Sequence, residues 1–249
     1  MEINQFLDAT YLKTAIQANI SEEENQQKVK TLLDEAIQFN YKLVMIRAKY
    51  IPFAKEYLGQ YKSKTLLGTV IGFHEGTYTL EEKISEAKTA IDLNTDELDF
   101  VVNYQAYKNN ELQLVKDEIF KCTQLCLNNN KAVKWIIEIA ALTNQEIINI
   151  TKLIKEIVLQ NFNKKHFENV FVKSSTGFYK TENNKPNGAT FEAMKLISEN
   201  AKPLKVKAAG GVKDYGTALK MISLGVDRIG TSSAKEICTK QENNNTLAY

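Results

Sequence analysis

Asp99, Lys134, Lys173 and Lys207 stand in otherwise apolar runs, ELDFVV, VKWII, NVFVK and LKVK. Runs of this kind read as buried strands, where a charged side chain costs several kcal/mol unless it is paired or functional. Four charges on successive strands point to pairing with one another around a common interior. A lysine with an ordinary pKa of about 10.4 is protonated near neutrality and is no nucleophile. Burial and a neighbouring ammonium both disfavour the charged form, and a depression of about three units frees an amine that can attack a carbonyl and form a Schiff base. A carboxylate such as Asp99 can then move protons, directly or through water. Two lysines and one aspartate thus indicate iminium chemistry on a carbonyl substrate. Lys134 reads as an inward-facing member of the same network, while Glu138 is open to pairing with a lysine or to a place on the rim.

A second group of residues bears on the rest of the substrate. AAGGVKD follows Lys207, and GTSSAKE closes the next apolar run. Adjacent glycines let backbone N–H groups approach an anion, and Thr231, Ser232 and Ser233 open a predicted helix whose N-terminus favours negative charge. The chain has only two arginines, Arg47 and Arg228, so bidentate arginine clamps are expected to play little part in holding a phosphate.

The elements that must position these residues follow from pattern. Strand candidates are Gln5–Ala9, Lys42–Ile46, Thr65–Ile71, Glu97–Val102, Val133–Ile139, Asn169–Lys173, Leu204–Ala208 and Val226–Gly230. Between them lie helical segments. Three open with capping boxes, Ser21 with Glu24, Thr79 with Glu82 and Thr143 with Glu146. Eight strands alternating with helices in 249 residues predict an α/β fold, a single (β/α)8 TIM barrel over residues 1–240. Its active site lies at the C-terminal ends of the strands, and loops seven and eight are the usual phosphate site. The last residues, KQENNNTLAY, read as a mobile tail over 241–249. The tail also raises the hypothesis that Tyr249 folds over the pocket and assists proton transfer.

Composition narrows the function further. With 43% hydrophobic and 25% charged residues the chain matches a globular protein, and 32 basic against 30 acidic residues make a polyanion a poor partner, so no nucleic acid is expected. Neither a dinucleotide nor a P-loop fingerprint follows any strand. No run of about 18 apolar residues appears and the N-terminus lacks the signal pattern, so no membrane is expected. The odd cysteines Cys122, Cys126 and Cys238 imply reduced thiols and a cytoplasmic protein. Cys122 and Cys126 read as small helix hydrophobes rather than a zinc site. His74 and His166 are the only histidines, which leaves little for a metal site or a Ser/Cys–His hydrolase. No metal and no cofactor are expected.

VFVKSSTGF, LKVKAAGGV, DELDFVV and RIGTSSA strongly resemble the deoxyribose-phosphate aldolases, from about Phe6 to Ser233. FLDATYL resembles the family's N-terminal Asp-x-Thr segment, VIGFHEG its Gly-Phe-Pro-x-Gly loop, and VKWIIE its Lys…Glu strand. The resemblance implies a metal-free class I aldolase that cleaves 2-deoxy-D-ribose 5-phosphate to D-glyceraldehyde 3-phosphate and acetaldehyde. It implies Lys173 as the Schiff-base lysine, with Lys207 depressing its pKa and sharing proton transfer with Asp99. It implies Asp8, Thr10 and Lys134 in the polar network of the substrate site. Thr176, Gly177, Gly210, Gly211, Gly230, Ser232 and Ser233 match positions that contact substrate or phosphate, and Lys213 adds positive charge. A homodimer is a further implication. The sequence departs from the family pattern at His74, where proline is usual, and at Met45 and Arg47-Ala48, all expected at the pocket rim. Two rival readings stand beside it. One is another lysine-dependent aldolase with a different sugar phosphate, and the other is a phosphate-ligand-binding regulator with an inert Lys173.

Overall fold

Short β-branched runs bounded by helix caps give eight strands: β1 (Leu7–Tyr11), β2 (Leu43–Ile46), β3 (Leu66–Ile71), β4 (Glu97–Val101), β5 (Ala132–Ile136), β6 (Val170–Lys173), β7 (Lys205–Ala209) and β8 (Arg228–Thr231). In the computed structural model, which describes residues 2–182 and 186–240, they pair in sequence order into a closed parallel barrel. β8 returns to β1 with Asp8 beside Gly230. The barrel is the (β/α)8 architecture expected. Tyr249 and the rest of the tail lie outside the described residues.

The helices begin where the capping chemistry places them. Ser21 caps Glu22–Phe39, Thr79 caps Leu80–Asp92 and Thr143 caps Asn144–Asn161, each with the reciprocal glutamate bond. Thr14 and Gln17 make a further capping box on a short helix, Ala15–Ala18. Strand ends shifted by a few residues from those read off the sequence. The strand predicted to run to Ile139 stops at Ile136 because Glu138 adopts the left-handed region, φ 55°, which a pleated strand cannot continue.

Two-residue alternation sorts the side chains into two layers. Outward-facing residues such as Val44, Ile46, Leu98, Phe100 and Trp135 join the helices in the main core. Cys122 and Cys126 belong to that layer, and burial raises both thiols, Cys122 to about 12, so they act as small hydrophobes. Inward-facing Leu43 and Met45 of β2 and Val70 of β3 form a separate apolar cluster inside the barrel. Gly68 makes room for it, since a Cβ there would lie 2.6 Å from Met45 Cε. The remaining strands fill their share of the interior with charge.

Candidate active site

Register explains why charges from distant parts of the chain meet. Asp99 of β4 lies beside Lys134 of β5, and Lys173 of β6 lies beside Lys207 of β7. Their side chains enter an interior from which water is excluded, so each must find its partner there. Lys173 Nζ donates to Asp99 Oδ2 at 2.8 Å, and Lys207 Nζ donates to the same oxygen at 2.8 Å. Lys134 Nζ donates to Asp99 Oδ1 at 3.1 Å and to Glu97. Lys207 Nζ also lies 2.6 Å from Asp8 Oδ2. Arg228 completes the cluster, donating through Nε to Asp8 Oδ1 at 2.7 Å and through Nη1 to Glu97 Oε1 at 3.2 Å.

The lysines are not electrostatically alike. Burial works against the charge of Lys134, but Asp99, Glu97 and Asp8 outweigh it and raise its pKa. For Lys173, burial dominates; Asp99 opposes it, Lys207 and Lys134 reinforce it, and the amine falls to about 8. Burial also opposes ionisation of Asp99, yet the three lysines hold its carboxyl well below the usual range. Asp8 is held low in the same way, with Arg228, Lys207 and Lys134 overcoming its burial. The cluster therefore keeps Asp8 and Asp99 ionised and brings the Lys173 amine to within reach of deprotonation near physiological pH.

Above this cluster opens a cavity of about 440 Å³, and Lys173 is the member of the cluster that reaches it. Thr10, Thr176, Gly177, Gly210, Gly211, Gly230 and Ser232 lie on its wall, as does Lys213. Gly210 and Gly211 both take positive φ, 83° and 81°, which turns the chain after β7 sharply around the cavity. Asp8, Asp99, Lys134 and Lys207 are fully buried beneath the floor, so they act on anything bound there through Lys173. Ser233 is not on the wall. Its N–H donates to Thr231 Oγ1 at 2.9 Å, and it stands at the start of the short helix Ala234–Thr239.

Glu138 forms no ion pair with a lysine and is acted on by Lys173 only at a distance. It accepts the N–H of Thr176 at 3.1 Å and the Thr176 hydroxyl, while Phe178 N–H donates to Thr176 Oγ1 at 3.0 Å. The loop after β6 is thereby pinned from the end of β5. The three departures from the family pattern also have places. Met45 fills the apolar half of the interior, Arg47 lies 4.9 Å over the Phe73 ring and donates to Leu12 O at 2.8 Å, and His74 stacks on Phe178 with centroids 5.5 Å apart. Met45 therefore lies buried in the interior and not on the pocket rim where it was expected, because its position on β2 faces inward beside Leu43 and Val70.

Arg228 and Glu97 are the residues that the sequence reading missed. The scarcity of arginine argued against any large part for it, yet Arg228 is 6% exposed and bridges two carboxylates. The signal for Glu97 was its spacing, two residues before Asp99 on one strand and therefore on the same inward face. Among the described residues no three His, Cys, Asp or Glu side chains gather as a metal site. Asp8, Glu97 and Asp99 are committed to lysines and arginine instead.

A parallel (β/α)8 barrel with a lysine of lowered pKa on its floor and glycine loops above defines a lysine-dependent barrel of the aldolase type. The comparisons agree: residues 6–240 match the family described as DeoC/LacD family aldolase, and the chain belongs to that family. It is 37% identical to the deoxyribose-phosphate aldolase of Metamycoplasma arthritidis over 238 residues, 95% of this chain and 97% of that one. It is 35% identical to the deoxyribose-phosphate aldolase of Thermococcus gammatolerans, with 95% of each chain covered. The solved structure of a candidate deoxyribose-phosphate aldolase from Coccidioides immitis superposes with a TM-score of 0.78 at 30% identity, covering 96% of this chain and 85% of that one.

Proposed function

We propose that this chain is a class I deoxyribose-phosphate aldolase, reversibly cleaving 2-deoxy-D-ribose 5-phosphate into D-glyceraldehyde 3-phosphate and acetaldehyde. The observation that carries the reading is Lys173, the least firmly paired of the buried lysines, at the floor of a cavity walled by glycine loops. Its neutral amine adds to the C1 aldehyde, and loss of water gives an iminium. Removal of the C3 hydroxyl proton turns that oxygen into a carbonyl, and the C2–C3 bond breaks with its electron pair drawn toward the iminium nitrogen. D-Glyceraldehyde 3-phosphate leaves an enamine on Lys173. Protonation at C2 and addition of water then release acetaldehyde and the free amine.

Asp99 and Lys207 have the proton-handling roles. Held well below its usual range, Asp99 stays ionised and accepts from Lys173 and Lys207 at one oxygen, which sets the two amines side by side for proton exchange. Lys134, Asp8 and Thr10 support it, the last by donating to Asp8 O at 2.9 Å. The phosphate end fits Gly210, Gly211, Gly230 and Ser232, with Lys213 contributing charge and Thr176 and Gly177 on the same cavity wall as Lys173. Ser233 belongs to this set by resemblance alone. The same reading takes residues 1–240 as one catalytic domain, supported by the family match, and places it in the cytoplasm, supported by three cysteines without disulfides. No helix among the described residues is long and apolar enough to cross a membrane. The homodimer implied by the resemblance belongs to this reading, and a light-scattering mass of one chain would remove it.

The test is release of acetaldehyde from 2-deoxyribose 5-phosphate, measured with other sugar phosphates in parallel. Turnover is expected for the deoxy sugar, with a loss of at least about 10³-fold in Lys173→Ala. Turnover of a different sugar phosphate alone would transfer the site to another aldolase, and unchanged turnover in Lys173→Ala would refute the assignment.

A further inference from the structure

The charged side chains under Lys173 close into a ring. Asp99 is joined to Lys207, Lys207 to Asp8, Asp8 to Arg228, Arg228 to Glu97, Glu97 to Lys134, and Lys134 back to Asp99. Three anions alternate with three cations, each next to two neighbours of opposite sign around the ring, and Lys134 and Asp8 also approach across it at 4.0 Å. Lys173 is a seventh group, attached to the ring only through Asp99 Oδ2. The ring is balanced without it, so a proton on Lys173 adds a charge that no further ring carboxylate answers. Four ring members are wholly buried, and Glu97 and Arg228 are only 5% and 6% exposed, so solvent and salt screen the arrangement weakly.

We propose that Glu97 and Arg228 are positioning residues that set the protonation of Lys173 from the far side of this ring, without touching it. The proposal deepens the aldolase reading, in which neutral Lys173 is the nucleophile. Removing the Arg228 charge leaves the ring one anion in excess, and a protonated Lys173 becomes the compensating cation. Removing the Glu97 charge leaves one cation in excess, and Lys173 sheds its proton more readily. Other groups around Lys173 are Glu138, whose carboxylate accepts from Thr176, and Lys13 and Lys213 on the cavity wall. These are the same in every variant and cancel in the comparison.

The test reads protonation independently of turnover. The rate of Lys173 acylation by a small anhydride is followed against pH by peptide mass spectrometry in the wild type, Arg228→Met, Glu97→Gln, the double variant and Arg228→Lys. Circular dichroism establishes which variants are folded. The midpoint is expected to rise in Arg228→Met and to fall in Glu97→Gln, each on the order of one pH unit. It should return near the wild-type value in the double variant, which loses one charge of each sign, and in Arg228→Lys, which keeps the cation. A merely structural role would not produce shifts of opposite sign that cancel. If Arg228→Met does not fold, the downward shift in Glu97→Gln and its reversal in the double variant carry the test. Midpoints that stay in place, or that move in one direction in every variant, overturn the proposal. The kcat/KM profile for 2-deoxyribose 5-phosphate should follow the labelling midpoint. Labelling that shifts as expected while turnover does not follow would defeat the aldolase reading and leave the ring standing.

Discussion

Lys173 differs from Lys134 and Lys207 in the number of carboxylates it can use. Lys134 lies against Glu97 and Asp99 and Lys207 against Asp8 and Asp99, whereas Lys173 has a single oxygen that it shares with Lys207. Three lysines in three apolar strands look equivalent in a sequence, so the cluster was legible there but the ranking of its members came only from family resemblance. Arg228 was hidden for a related reason. It lies within the predicted strand Val226–Gly230, where the scarcity of arginine argued against any large part for it, and only barrel closure brings it to Asp8, 220 positions away in the chain. The low pKa of Lys173 has a consequence for stability. Its folded value is about 8 and the unfolded value is about 10.4. Between these the unfolded chain binds more protons, so stability rises with pH; below about 8 both states are protonated and the full penalty is present. The wild type should therefore gain stability relative to Lys173→Met between pH 7 and pH 10, measured by urea unfolding of both proteins. An unchanged gap between them would show that Lys173 titrates normally in the folded chain.

At the scale of elements, loops rather than strands define the upper half of the site. Gly210 takes a left-handed conformation and packs so closely that a Cβ there would lie 2.8 Å from Gly188 Cα. The loop after β7 is thereby set against the loop after β6, and Ala189 N–H donates to Gly210 O at 2.9 Å. Gly210→Ala should push the two loops apart. In a coupled assay, KM for 2-deoxyribose 5-phosphate is expected to rise about 10- to 100-fold, equivalent to about 1.4–2.8 kcal/mol. Turnover of unphosphorylated 2-deoxyribose should change much less, and equal losses on both substrates would remove the phosphate role from this loop. The expectation of an anion cradle was visible in the sequence only because the adjacent glycines and the GTSS run each follow a strand, since either alone reads as an ordinary turn. The place of Ser233 was not, since whether its N–H faces the cavity or turns back onto Thr231 depends on the last turn of backbone. Capping boxes placed three helix starts correctly because a cap is a local bond between residues three apart.

Across the whole molecule, the barrel divides its interior into an apolar part on β2 and β3 and a charged part on β1 and β4–β8. The apolar part fills space; the charged part is stable because nearly every charge in it has a partner. That division follows from alternation along each strand together with closure, and only the first of these is local. The eight strands were therefore countable in the sequence, while the ring they enclose required the register around the barrel. The central claim is that the lysine left over from this ring is the one that bonds to the substrate. Borohydride reduction in the presence of 2-deoxyribose 5-phosphate, without added metal and followed by peptide mass mapping, tests it directly. A stable adduct on Lys173, absent in Lys173→Ala, is the predicted result. An adduct on Lys207 or Lys134 in the folded wild type, or none at all, would contradict the account.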